Sequence, residues 1–353
     1  MQTTRLRRLA TAVTAFVALT ATMAACGSSD SGGADSPKTT AAGDGPAIDA
    51  PDRITIAYQA IPNGDLIVKQ QQLLEAALPD TTIDWKLFDS GGAVNEALAS
   101  GDVDLGLVGS SPASRGLSTG IPYRVVWIHD VIGAAESLVV RDGIDSIEDL
   151  VGRTVATPFA STAHYSLLAA LNDAGVDPGR VDIIDSEPDD IYSAWTGGQI
   201  DGAYVWNPNL AKIEAEGAEV LLTSADLAEQ GDTTYDLGVA ATAFADRYPE
   251  VLVAWATAQD QAVELLLDDP ETAAEIIGAE LDITAEEAAS QIADLIYVRA
   301  ADQAGDEYLG AQLAANLERA ARFNQEQGEI DEVAPTATYV AGVDAAPAAG
   351  AAG

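Results

Sequence analysis

Short runs in which apolar and polar residues alternate take turns with longer runs whose apolar residues recur every three or four positions. Residues 53–59 (RITIAYQ), 82–88 (TIDWKLF) and 103–108 (VDLGLV) have the β-branched, short-apolar character of strands. Residues 68–78 and 93–100 between them predict helices, and Gly109-Ser110-Ser111-Pro112 opens another, with Ser111 expected at N-cap and Pro112 at N1. Residues 125–128 and 137–140 predict two further strands. The pattern then begins again, with strands at 154–157, 181–184, 200–205, 220–223 and 237–241 and a helix at 189–196. Strands alternating with helices at this spacing predict an α/β protein with a largely parallel sheet.

Residues 153–175 (RTVATPFASTAHYSLLAALNDAG) draw the eye first. Pro158 ends a buried strand, Ser161 and Thr162 can cap a helix, and Tyr165, Leu167, Leu168, Ala170 and Leu171 give that helix an apolar face closed by Gly175. A strand feeding a hydroxyl-rich helix N-terminus is either an ordinary βα turn or an anion site built without a cation.

An internal repeat separates the two readings only in part. Gly101-Asp102-Val103-Asp104-Leu105 with Ser110-Ser111-Pro112 matches Gly198-Gln199-Ile200-Asp201-Gly202 with Trp206-Asn207-Pro208, at an offset of 97 residues and one residue shorter in the loop. Two lobes of related topology would produce it, with each Pro-started helix aimed at the cleft between them; chance likeness of two helix–strand–helix units is the alternative. From Phe244 onward the chain turns helical, alanine-rich and acidic, with helices expected at 246–267, 270–281, 284–296 and 306–326 and a capping box at Thr284 and Glu287.

The ends differ from the rest. Arg5, Arg7 and Arg8 precede an apolar run at 11–25 that is too short to span a bilayer, so residues 1–25 read as an export signal of lipoprotein type ending Met-Ala-Ala before Cys26, the expected lipidation site. Residues 26–51 are rich in Gly, Ser, Ala and Asp and read as a flexible tether; residues 344–353 read as a disordered tail. Between them lie lobe 1, first part (52–136), lobe 2 (137–240), and the remainder of lobe 1 with the C-terminal helices (241–343).

With one cysteine there is no disulfide, and stability must come from core burial. The 56 acidic residues against 17 basic ones give a formal charge of −39, which argues against nucleic acid and anionic membrane surfaces as partners. Two histidines, no Cys pair, no G-x-S-x-G, no P-loop and no G-x-G-x-x-G leave no motif for a metal, a cofactor or a nucleophile, so neither cofactor nor catalysis is expected.

The chain resembles the solute receptors for taurine, other sulfonates and nitrate that serve bacterial ABC importers. The likeness rests on Ala57-Tyr58-Gln59, on 84–91 (DWKLFDSG), 97–103 (ALASGDV) and 109–112 (GSSP), on Pro158-Phe159 with Ser161-Thr162, and on 164–171 (HYSLLAAL) and 200–206 (IDGAYVW). The last two strings are fairly specific to the taurine branch, and similarity is weaker over the C-terminal helices. The resemblance implies a two-lobed periplasmic-binding-protein fold of type II, each lobe a mostly parallel sheet flanked by helices, closing on a small solute for delivery to a permease and its ATPase. It implies a monomer outside the cytoplasm, held at the membrane through lipid on Cys26.

It also implies site positions. Ser110, Ser111, Thr162 and His164 fall where the family holds the sulfonate, Glu136 and Asp236 where it places carboxylates near the amine, and Gln59 and Trp206 where residues face the ligand. Each position has a plainer reading beside this one: His164 and His129 as structural histidines, Glu136 as a hinge brace, Asp236 as a turn residue, Trp206 as core. Ala163, Asn207, Gly238 and the loop after Gln59 depart from the family pattern, which would either widen the pocket or change nothing. An enzyme on the same fold is the competing class.

Overall fold

Among the described residues, 48–353 of this computed structural model, the strands fall into two sheets that share no strand. The expected signal segment, Cys26 and most of the tether lie outside the described residues. The strands are β1 (Arg53–Tyr58), β2 (Thr82–Leu87), β3 (Leu105–Gly109), β4 (Tyr123–Ile132), β5 (Glu136–Val140) and β6 (Thr154–Thr157). They continue as β7 (Asp182–Asp185), β8 (Gly202–Trp206), β9 (Glu219–Thr223), β10 (Tyr235–Ala241) and β11 (Leu295–Ile296). The first sheet runs β2-β1-β3-β10-β4-β11 and the second β7-β6-β8-β5-β9.

The internal repeat has a structural counterpart. β2-β1-β3 and β7-β6-β8 are equivalent parallel trios, and the matched segments become their inner strands β3 and β8. The repeated aspartates do the same work in each. Asp104 Oδ2 accepts from Thr55 N at 2.8 Å, and Asp201 Oδ2 accepts from Thr154 N at 2.9 Å, tying the start of each inner strand to its parallel neighbour.

The remaining strands are antiparallel, so the sheets are mixed rather than mostly parallel. The reason lies in the two crossings. The chain leaves the first sheet along β4 and enters the second along β5 through residues 133–135; it leaves along β9 and returns along β10. Strands that go out and come back side by side must oppose each other. β10 therefore belongs to the first lobe, which corrects the expected boundary at residue 240: the second lobe ends before Tyr235.

Alternation along β5 shows how the second lobe is filled. Leu138 and Val140 join one buried cluster with Leu167, Leu171 and Tyr204, while Val139 joins another with Ile191, Trp195 and Val205. Each face of the sheet thus has its own helix cover, each buried aliphatic side chain contributing about 1.5–3 kcal/mol. The first lobe has a single larger core, in which Trp255 of the helix Pro249–Asp268 packs edge-on against Trp127 with ring centroids 6.4 Å apart.

Local signals hold where a side chain fixes them and slip where none does. Ser161 accepts from His164 N at 3.0 Å, and Thr284 forms its capping box with Glu287. The first helix, however, starts at Gly64, capped by Asn63, and breaks at Gln72, which has a φ of 55°. The helix expected to be capped by Ser111 is Ser110–Thr119, with Gly109 at N-cap, and the helix expected from residue 306 is Gln312–Glu326. The tail expected to be disordered forms the helix Ala346–Ala351, with Pro347 and Ala348 buried against Pro249–Asp268. Ile48 and Ala50, inside the expected tether, already rest on the core.

Candidate functional site

A small cavity lies where the two lobes meet. The first lobe lines it with Gln59, Gly109, Pro112 and Asp236, and the second with Ser161, Thr162 and Trp206. Glu136 stands at the crossing between them.

Three helices bring their N-termini to the space: Gly91–Ser100, Ser110–Thr119 and Thr162–Asp173. Ser90 and Ser161 cap the first and third through their side chains, whereas Gly109 offers no side chain and leaves the first-turn N–H groups of Ser110–Thr119 without one. A glycine is required there for a second reason: a Cβ at Gly109 would sit 2.6 Å from Thr162 Cγ2, across the interlobe gap. Three helix ends make the space attractive to an anion, each contributing about 0.3–1 kcal/mol, or ~2 kcal/mol when partly buried.

Two buried acids share this wall with the helix starts: Glu136 accepts from Thr162, and Asp236 pairs with Gly109 across β10 and β3. Burial, reinforced by the charge of Glu136, pushes the Asp236 carboxyl up to about 7. Burial also pushes Glu136 up to about 7, against three hydroxyl donors that favour its ionised form. Those donors are Thr162 Oγ1 at 2.5 Å on Oε2, with Ser224 Oγ at 2.8 Å and Ser166 Oγ at 3.3 Å on Oε1. No lysine or arginine is among the residues lining the cavity. Burial thus holds both carboxyls close to neutrality in a wall that contains no protein cation.

Five of the eight positions singled out in the sequence line the cavity: Gln59, Glu136, Thr162, Trp206 and Asp236. Gln59 is oriented by donating from Nε2 to Leu107 O at 3.1 Å. The other three positions sit elsewhere. Ser110 Oγ accepts from Tyr235 N at 3.2 Å, and Ser111 Oγ accepts from Asn324 Nδ2 at 3.3 Å.

His164 stacks on Phe159, with centroids 4.4 Å apart and an interplanar angle of 4°, and its Nδ1 lies 4.0 Å from Glu329 Oε2. The helix explains this: His164 is two residues past Thr162, about 200° around the axis at 3.6 residues per turn, so when one faces the cavity the other faces away. Burial lowers the His164 ring, opposed by the Glu329 charge. His129 is buried behind the site, its Nε2 3.8 Å from Asp65 Oδ2.

Several lining residues fall outside those eight, some of them within the departures from the family pattern noted above. Ile61 and Pro62 come from the loop after Gln59, and Leu295 from the helical C-terminal region. Asn207 lines the cavity as well, its Oδ1 accepting from Ala211 N at 3.2 Å. Gly238 does not widen the pocket: a Cβ there would meet Trp255 Cη2 at 2.5 Å and Trp127 Cβ at 2.9 Å, so its missing side chain makes room for core indoles.

The family described as NMT1/THI5 like matches residues 83–273. The chain belongs to that family. Within it, the chain is 39% identical over 218 residues to the taurine-binding periplasmic protein of Escherichia coli (strain K12), covering 62% of this chain and 68% of that one. It is 31% identical over 185 residues to a putative aliphatic sulfonates-binding protein of the same organism, covering 52% and 58%. The crystal structure of the periplasmic aliphatic sulphonate binding protein SsuA from Escherichia coli superposes with a TM-score of 0.70 at 24% identity, covering 83% of this chain and 98% of that one. The fold is thus that of periplasmic binding proteins, and the two relatives carry the names of binding proteins. No helix among the described residues is long and apolar enough to cross a membrane.

Proposed function

We propose that the protein is an extracytoplasmic receptor that binds taurine between its lobes and delivers it to the permease and ATPase of an ABC importer. One observation carries this reading: the cavity brings three helix N-termini together with the buried acids Asp236 and Glu136, with no cationic side chain in its wall. A small zwitterion with a permanent anion at one end and an ammonium at the other matches that combination of groups. The sulfonate meets N–H groups and the Thr162 hydroxyl region, and the ammonium meets Asp236. Two or three helix ends and their hydrogen bonds approach the roughly 8 kcal/mol of a micromolar complex. A buried ammonium without its carboxylate would cost several kcal/mol.

The relatives' names support a receptor over an enzyme. The second reading, a receptor for plain alkanesulfonates, draws on the sulfonates-binding relative. Calorimetric titration with taurine, ethanesulfonate and sulfate separates the two, since only taurine has an ammonium for Asp236 to meet. Attachment to the outer face of the cell membrane through lipid on Cys26 belongs to the same proposal.

A further inference from the structure

Asp130, which no sequence signal picked out, lies on β4 directly across from Asp236 of β10, at a point where the register of the two strands shifts. Asp236 is 6% exposed at the cavity wall, whereas Asp130 is fully buried behind it. Among the described residues, neither carboxylate oxygen of Asp130 makes a hydrogen bond of ordinary geometry, and the one donor near it is the side-chain amide of Asn63.

The groups around it are few. Asp236 faces it from β10 and Glu136 from the start of β5, and both are acids. Tyr297, after β11, donates its hydroxyl to Pro62 O at 2.6 Å. Asn63, before the helix Gly64–Gln71, has no other acceptor for Nδ2 and is the one neighbour that favours ionised Asp130. His129, the preceding residue, is engaged with Asp65 at 3.8 Å. No lysine or arginine contributes to the field that acts on Asp130.

An ionised Asp130 would therefore be a buried anion opposite two other carboxyls, with one neutral amide beside it and no cation. A protonated Asp130 has one O–H to give, and the acceptor across the strands is Asp236. We propose, resting on the zwitterion reading above, that Asp130 is a positioning residue: a neutral carboxylic acid whose proton bonds Asp236, steadies it at the cavity wall and leaves Asp236 as the anion that meets the ligand's ammonium. Burial and the charges of Asp236 and Glu136 push Asp130 well above the usual carboxylate range, and its full burial against the cavity exposure of Asp236 makes Asp130 the member that keeps the proton.

Two substitutions and one spectrum test this on the full chain. Asp130→Asn keeps a donor without a titrating proton and retains taurine affinity within about 3-fold; Asp130→Leu keeps bulk without a donor and loses about 10-fold or more. In Asp130→Leu the midpoint of the pH dependence of binding also moves up, because ionised Asp236 has lost its donor. Loss of affinity in Asp130→Asn as large as in Asp236→Asn would overturn the proposal, since it would make Asp130 a second anion. Infrared spectroscopy of the ligand-free protein at pH 8 is the arm that does not depend on taurine. A protonated-carboxyl C=O band that disappears in Asp130→Asn supports the proposal, and no such band overturns it whatever the ligand proves to be. Should Asp130→Leu fail to fold, Asp130→Asn and the spectrum still decide.

Discussion

Thr162 Oγ1 donates a 2.5 Å hydrogen bond to Glu136 Oε2, joining the helix start that borders the cavity to the first residue after the crossing between lobes. Glu136 Oε1 accepts from Ser166 on the same helix and from Ser224, the first residue after β9. One carboxylate thereby holds three elements of the second lobe, and it does so at the cavity edge.

This arrangement separates the two roles of Glu136. Glu136→Ala leaves three buried hydroxyls without their acceptor and should lower stability by about 2–4 kcal/mol, read as a drop in denaturation midpoint. Glu136→Gln keeps one acceptor oxygen and most of the shape. If Glu136 is chiefly a brace, Glu136→Gln retains taurine affinity within a few-fold; loss of about 10-fold or more with unchanged stability would assign it to the ammonium.

Glu136 and Asp236 are raised to about 7 from ordinary values of 4.5 and 3.8, so between those limits the folded protein holds protons that the unfolded chain has released. Stability from these groups is fully present below about pH 4 and declines as pH rises through 7. The ligand-free midpoint should accordingly fall between pH 5 and 7.5, and Asp236→Asn should flatten part of that slope. An ammonium favours the ionised carboxyls, so the midpoint gain from saturating taurine should be larger at pH 7.5 than at pH 5. Equal gains at both would remove the carboxylates from the site.

Gly238 offers a control away from the ligand. Gly238→Ala puts a methyl 2.5 Å from Trp255 Cη2 and should cost about 1–3 kcal/mol by overpacking. The ratio of taurine to ethanesulfonate affinity should not move; a shift in that ratio would return Gly238 to the pocket.

Cys26→Ser should release the protein from the membrane fraction of expressing cells. Continued membrane association would count against a lipid anchor at that position.

The legible parts of the chain were those in which one residue fixes its own surroundings. Asp104 and Asp201 each bond the neighbouring strand, so the repeat in sequence is also a repeat in structure. Gln59, Thr162, Trp206 and Asp236 stand at strand ends or a helix start, where side chains meet the cleft. Asp130 was missed because strand β4 runs on through residues 129–132, past the apolar stretch that suggested a strand only at 125–128. An acid inside an otherwise apolar strand was the available signal. His164 was misplaced because adjacency in sequence to Thr162 is not adjacency on a helix face. The helix Ala346–Ala351 has an alanine-rich sequence that says little by itself, and its order comes from packing on Pro249–Asp268.

Titrating the protein and its Asp236→Asn variant with taurine and with ethanesulfonate in a calorimeter tests the pairing of anion and ammonium most directly. The zwitterion account predicts tight binding of taurine by the parent chain and weak binding of ethanesulfonate. It also predicts that Asp236→Asn costs taurine about 10-fold or more while leaving ethanesulfonate nearly unchanged. Equal losses for both ligands, or a parent chain that binds both alike, would contradict it.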